Sequence, residues 1–416
     1  MKKEFGLYIH IPFCRQKCFY CDFPSFAGRE KKIDKYLQAL EQEFALLRQG
    51  RQQKDGAGDC ERNNFHRGNE GKASDGFQRE EYIWLNKDSK FVPRTIYIGG
   101  GTPTVLNLDQ LGKLLDIVQK YVAVSEAEEF TVEMNPGTVD REKLLLLQQA
   151  GVNRLSVGVQ SFDDHCLQKI GRIHTAQEAV DTIELAHNLG FGNISLDLIY
   201  GLPQQNMEIL IQSVERALTL PIQHISIYGL QLEEGTAFHR MEALGKLQLP
   251  TDELVEIMHD YIVEKLPEAG YQRYEISNYA LPGYESKHNL SYWQDVDYLG
   301  LGSGAHSYWQ GTRYENPRSI DDYISALEAG RLPADVEEQV DRQAHMEEYC
   351  FLGLRTAAGI DKNIFQQKFG VDLFTVYGRT IEKLVAQDLL QQTDKGIALT
   401  PLGMKYGNQV FAEFLL

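Results

Sequence analysis

The sequence predicts an α/β protein built on a parallel sheet, followed by a small, mostly helical, winged-helix-like C-terminal domain. Three observations predict it. Strand-like and helix-like segments alternate from residue 5 to about 231, the rhythm of parallel strands joined by right-handed helical crossovers. A polar, Gly-rich stretch at 50–92 interrupts that rhythm once. From about residue 340 the chain reads helix, helix, helix, then a short strand pair near 390–399. Periodicity alone leaves both an open doubly wound sheet and a barrel-like sheet open.

Each element has its own warrant. Residues 5–11 (Phe-Gly-Leu-Tyr-Ile-His-Ile) are apolar and strand-like. At 33–48, Tyr36, Leu37, Leu40, Phe44 and Leu47 recur on one helical stripe. A strand at 94–98 ends in three glycines. The helix at 108–122 begins with Asn107 and Gln110, a capping-box pair. Strands at 129–134, 154–160, 193–199 and 224–230 alternate with helices at 141–150, 175–189 and 208–220, two of them closed by Gly151 and Gly190. The 50–92 stretch cannot bury enough apolar surface to offset its ordering entropy. It reads as a disordered insertion, in which 82–85 could dock. Past residue 231 come a helix at 252–266 capped by Thr251, an extended segment at 271–279, and a loop-like region at 280–315 rich in Gly, Ser, Tyr, Trp and His. The expected domains are 1–231, a barrel-completing region at 232–335, and 336–416.

The net charge of −17 over 416 residues argues against a surface that tracks phosphates, so no nucleic-acid partner is expected. No apolar run approaches the ~18 residues that span a bilayer, and the N-terminus lacks a signal-peptide pattern. A cytoplasmic location is the expectation. Six cysteines are too few for a disulfide scaffold. Cys166 and Cys350 read as small buried hydrophobes, and Cys60 as an incidental thiol in the insertion.

The other three carry chemistry. Cys14-Arg-Gln-Lys-Cys18-Phe-Tyr-Cys21 follows the first strand. Three thiolates hold a [4Fe–4S] cube with one iron left open. The rival is a Cys3His zinc set completed by His10; His10 alternates with Tyr8 on a strand and reads better as an inward structural residue. Strand ends supply further polar groups. Gly99-Gly100-Gly101-Thr102-Pro103 lets backbone approach a ligand and lacks the Gly-Lys-Ser/Thr of a P-loop. Glu133, Gln160 and Ser161 close strands. Arg172 could clamp a carboxylate, and Asp197 sits inside an apolar strand, where a lone carboxylate is costly.

The Cys-x3-Cys-x2-Cys run resembles that of the radical S-adenosylmethionine (SAM) superfamily. That resemblance implies a partial (β/α)6 barrel resembling part of a TIM barrel, a [4Fe–4S] cluster, and SAM on the open iron, cleaved to a 5′-deoxyadenosyl radical. Within it, GGGTPT, EMNPGT, NRLSVGVQSF, IGRIH and LDLIYGLPQQ are similar to oxygen-independent coproporphyrinogen III dehydrogenases (HemN) and to the related HemW haem chaperones. The likeness implies SAM contacts at Tyr8, Gly100, Gly101, Thr102, Glu133, Gln160, Arg172 and Asp197, with Tyr20 and Gln231 also facing SAM.

Two departures point away from decarboxylation of coproporphyrinogen. The dehydrogenases carry a further cysteine where this chain has Phe23, and an N-terminal extension before the first strand. His288-Asn289-Leu290-Ser291-Tyr292-Trp293 resembles the His-Asn-x-x-Tyr-Trp signature of the haem chaperones. This implies haem bound by His288, Asn289, Tyr292 and Trp293, with the imidazole as axial ligand. His306 is a second candidate, although its glycine-rich neighbours suggest a tight turn at the barrel rim. The expected partners are haem, haem-acceptor proteins including membrane-associated respiratory proteins, and a second copy of the chain. The alternative function is the dehydrogenase itself.

Overall fold

The computed structural model describes residues 4–55 and 90–415. Six parallel strands form its centre: β1 (Gly6–Ile11), β2 (Thr95–Gly100), β3 (Glu129–Met134), β4 (Arg154–Gln160), β5 (Ile194–Tyr200) and β6 (His224–Gly229). They pair in sequence order. Helices α1 (Ile33–Asp55), α2 (Leu108–Tyr121), α3 (Arg141–Gln149), α4 (Ala176–Asn188) and α5 (Met207–Leu218) make the crossovers. This is the partial barrel the motifs implied. The expected caps form: Asn107 and Gln110 close a capping box on α2, and Thr175 and Glu178 close another on α4. Helix α1 runs to Asp55, past the expected end at Arg48. Its extension is rich in Gln, Arg and Lys, which are good helix formers. The rest of the insertion, with Cys60 and 82–85, lies outside the described residues.

After α6 (Asp252–Glu268) come β7 (Gln272–Arg273), β8 (Asn278–Ala280), α7 (Lys287–Trp293), β9 (Tyr298–Leu301), β10 (His306–Trp309), β11 (Thr312–Glu315) and β12 (Asp335–Gln339). These strands extend the six to one sheet of twelve, ordered β12-β11-β10-β9-β1-β2-β3-β4-β5-β6-β8-β7. The 280–315 region is therefore not the loop that its composition suggested. Glu129, at the start of β3, accepts the backbone N–H groups of Lys287 and His288, and Ser286 caps α7. A short helix docked by a distant carboxylate leaves little periodicity to read.

The C-terminal unit, α8 (Arg342–Leu354), α9 (Lys362–Phe369), α10 (Leu373–Ala386), β13 (Leu390–Gln392) and β14 (Gly396–Leu399), continues into two short helices. It has its own apolar core around Phe365, Leu373, Tyr377 and Ile381. Cys350 lies in that core and Cys166 in a small cluster beside the barrel; both are fully buried.

The main core fills the space between strands and helices. Leu7, Ile9, Ile96, Ile98, Val132, Leu155, Val157 and Leu196 meet Leu40, Phe44, Leu114 and Val118 from the helices. Within otherwise buried strands only Tyr8, Tyr97, Glu133, Gln160, Asp197 and a few strand ends retain partial exposure. Side chains alternate across a strand, and these positions open on a cavity.

Candidate active site at the barrel mouth

Cys14, Cys18 and Cys21 lie beyond the C-terminal end of β1. They line a cavity of about 390 Å³ shared with Tyr20, Gly100, Gly101, Thr102, Glu133, Gln160, Arg172, Asp197 and Gln231. Strand ends on one face of a barrel converge in this way. Lys17 pins the cysteine loop, donating to the Phe23 carbonyl and to Ser25 Oγ at 2.9 Å. Burial pushes the thiols of Cys14 and Cys21 up; the Thr102 hydroxyl, 3.7 Å from Cys14 Sγ, and Lys17 near Cys21 oppose that. His10 does not line this cavity. Its Nδ1 meets the Tyr8 hydroxyl at 2.8 Å and its Nε2 the Pro24 carbonyl at 2.8 Å, so a zinc set completed by His10 would have to break at least one of them.

The glycines are steric requirements. Gly100 has φ +111°, and a Cβ there would overlap the His10 ring; one on Gly101 would come 2.7 Å from the Phe13 carbonyl oxygen. Gln160 ends β4 with φ +71° at an irregularity in pairing with β5. A non-glycine residue in this region carries strain of about 1–3 kcal/mol and is often found at a ligand clamp.

The charged groups are held without full compensation. Glu133 accepts from the Tyr97 hydroxyl at 2.7 Å and from the Gly100 N–H at 3.0 Å, and burial pushes it up to about 7. Burial likewise lifts Asp197 to about 6, against the Ser226 hydroxyl. Arg172 donates to Asn135 Oδ1 at 2.7 Å, to the Gly158 carbonyl, and to Cys18 Sγ at 3.7 Å. Its buried Nε has no partner among the described residues. Orphaned donors and proton-retaining carboxylates at one mouth suit an amino-acid nucleoside: Arg172 for a carboxylate, Glu133 and Asp197 for hydroxyls or an amine. Three thiols around the same cavity suit an iron–sulfur cube with an open iron. The residues present therefore fit both groups.

Several lining residues escaped the sequence reading, among them Tyr97, Ser226, Arg154 and Asn135. Arg154, 2% exposed, starts β4 and faces the cavity. Its charge acts on Glu133, Asp197 and His288. Asn135 joins Thr102 (2.7 Å) to Arg172. Arg154 opens its strand, where a solvated end is the ordinary expectation, and Asn135 offered no signal beyond its place after Glu133.

The remaining expected residues do not gather in one place. Tyr8 lines a second cavity of about 530 Å³ beside the first, as do Tyr292 and Trp293. Asn289 faces the cysteine cavity. His288 lines neither. It is 1% exposed, with Nδ1 on Thr95 Oγ1 and Nε2 on the Tyr292 hydroxyl, both at 2.8 Å. Its ring stacks on Tyr97 with centroids 5.0 Å apart, and burial drives its pKa down to about 3. Thr95 and Glu129 begin their strands, so α7 plugs the barrel end opposite the thiols.

A partial parallel barrel whose mouth joins three thiols to a Gly-rich turn and buried carboxylates is the architecture of a radical SAM protein. The radical SAM superfamily model matches residues 79–217 and the HemN C-terminal domain model residues 340–406. The chain is similar to heme chaperone HemW of Bacillus subtilis (strain 168), 38% identical over 98% of both chains. It is also similar to heme chaperone HemW of Lactococcus lactis, 37% identical over 100% of this chain and 98% of the relative. The solved structure of coproporphyrinogen III oxidase (HemN) from Escherichia coli has the same fold, with TM-score 0.79 at 22% identity, covering 100% of this chain and 90% of that one. The protein belongs to the HemW family of the radical SAM superfamily. Among the described residues no helix is long and apolar enough to cross a membrane.

Proposed function

We propose that this protein is a haem chaperone, binding haem and passing it to acceptor proteins in the cytoplasm or at the membrane surface. Cys14, Cys18 and Cys21 would hold the cluster, which when loaded supplies an open iron and electrons for SAM. Arg172, Glu133, Asp197, Gln160 and Gln231 orient SAM at the mouth, and the Gly99–Gly101 turn gives it backbone access. Haem is assigned to the His288–Trp293 side of the molecule.

The observation that carries this reading is the pair of adjoining cavities. The thiol cavity gathers Arg172, Glu133 and Asp197, groups that fit SAM; the neighbouring one is walled by Tyr292, Trp293, Tyr298 and Tyr308, flat rings suited to a porphyrin. Asp22 and Phe23 belong to both linings. Phe23, 61% exposed, stands where the dehydrogenases carry another cysteine. The test is anaerobic and direct. Reconstituted protein titrated with haem should saturate near one per chain and release haem to an apo-acceptor. Incubation with coproporphyrinogen III, SAM and reductant should give no protoporphyrinogen. Multiple turnovers of that product would make the protein a dehydrogenase instead.

A further inference from the structure

We propose that the second cavity is the haem seat and that His306, not His288, is the axial ligand to its iron. The inference rests on the haem reading above and concerns only where and how haem is held.

Four observations converge on it. First, the one lone pair of the His288 imidazole is already taken. Both ring nitrogens are hydrogen-bonded, and the ring is sealed beneath Tyr97. Ligation through it would leave Thr95 or Tyr292 unpaired in the core. Its place fixes Tyr292, one turn on along α7, at the cavity wall. Second, His306 lines the cavity, and its side chain is 42% exposed. Nδ1 lies 3.4 Å from Glu337 Oε2; Nε2 is 3.7 Å from Glu315, beyond a hydrogen bond. A carboxylate on one ring nitrogen fixes the tautomer and makes the other a stronger donor to metal. Glu315 itself is engaged by Arg318 Nε at 3.3 Å.

Third, two lining groups lack partners. The Tyr308 hydroxyl and Trp293 Nε1 are buried and unbonded among the described residues. The Tyr308 side chain is over nine-tenths buried, at 7% exposure. Orphaned polar atoms of this kind are rare in native interiors unless water or a ligand meets them, and a haem propionate is an acceptor for both. Fourth, two arginines stand in the cavity wall beside the carboxylates of Asp22, Asp295 and Glu348. Arg313 is held by Glu338 and Glu348. Arg318, with its side chain 67% exposed, holds Glu315 through Nε, which leaves its terminal amino groups to reach a propionate. The volume of about 530 Å³ is in the range of small-ligand sites. The turn at Gly302 and Gly304, φ +96° and +72°, then does more than round the barrel rim: it delivers His306 to the seat.

The test uses full-length protein with its cluster reconstituted, titrated anaerobically with haemin. Soret difference spectra are read for the parent, His306→Ala, His288→Ala and Tyr308→Phe, and circular dichroism reports folding. His306→Ala should shift the Soret band and raise the Kd at least about tenfold, with its fold intact. Added imidazole should restore the parental spectrum. Tyr308→Phe should weaken binding severalfold without moving the band, and folded His288→Ala should keep the band position. The proposal is overturned if His306→Ala keeps both spectrum and affinity, or if folded His288→Ala alone loses the band. A parent protein that takes up no haem would instead remove the chaperone reading, and this inference with it.

Discussion

Replacing Glu133 with Gln separates what this carboxylate does for a ligand from what it costs the fold. Burial lifts Glu133 from 4.5 to about 7. Between those values the folded chain keeps a proton that the unfolded chain has released. Stability therefore falls as pH rises, and the loss is complete above the folded value. At about 1.4 kcal/mol per pH unit the gap amounts to ~3 kcal/mol, of which about 2 kcal/mol falls between pH 5.5 and 8. Asp197, lifted to about 6, has the same sign and contributes ~1 kcal/mol across that range. In Glu133→Gln the amide oxygen can accept from Gly100 N–H while its NH2 donates to the Tyr97 hydroxyl, whose own O–H then turns to water in the SAM-free cavity that Tyr97 lines. The SAM-free variant should be about 2–3 kcal/mol more stable than the parent at pH 8, with a flatter pH profile. Urea unfolding followed by circular dichroism at several pH values measures this. SAM affinity, by equilibrium dialysis on the reconstituted protein, should fall on the order of tenfold, because a neutral amide accepts fewer and weaker bonds. A variant less stable than the parent at pH 8 would refute the electrostatic reasoning, and unchanged SAM affinity would remove Glu133 from the SAM pocket.

Three other substitutions probe the same architecture. His288→Ala removes a stacked ring and unpairs two buried hydroxyls, so it should cost roughly 3–5 kcal/mol in denaturant unfolding; a loss under ~1 kcal/mol would show that α7 is not held by this residue. Gln160→Gly relieves the left-handed backbone: unfolding free energy should hold or rise by up to about 1 kcal/mol while SAM binding weakens severalfold, and a clear loss of stability would contradict the strain. Arg172→Lys keeps the charge but removes the planar fork and its orphaned Nε. The Kd for SAM should rise on the order of tenfold, and an unchanged Kd would place the SAM carboxylate elsewhere.

What was legible in the sequence follows the distance over which each element is determined. β3 and β4 match their expected bounds because an apolar strand in a buried parallel sheet is an unbroken run between turn signals. β7 to β12 are two to five residues long and exist through pairing with distant neighbours, so local sequence could not announce them. The His288–Trp293 motif exposes the same limit at the site. Read as a loop, four neighbouring residues would face one ligand. Wound as a helix at about 100° per residue, they part: His288 bonds Tyr292 one turn on, Asn289 turns to the thiols, and Trp293 faces the other cavity. Arg154 makes the complementary point. Asp197 and Arg154 are both lone charges in apolar strands, yet only Asp197 stood out, being central in its strand. Arg154 opens β4, where a solvated end is the ordinary expectation. Only the extended sheet and α7, closing that end of the barrel, turn a strand terminus into a buried cation between two carboxylates.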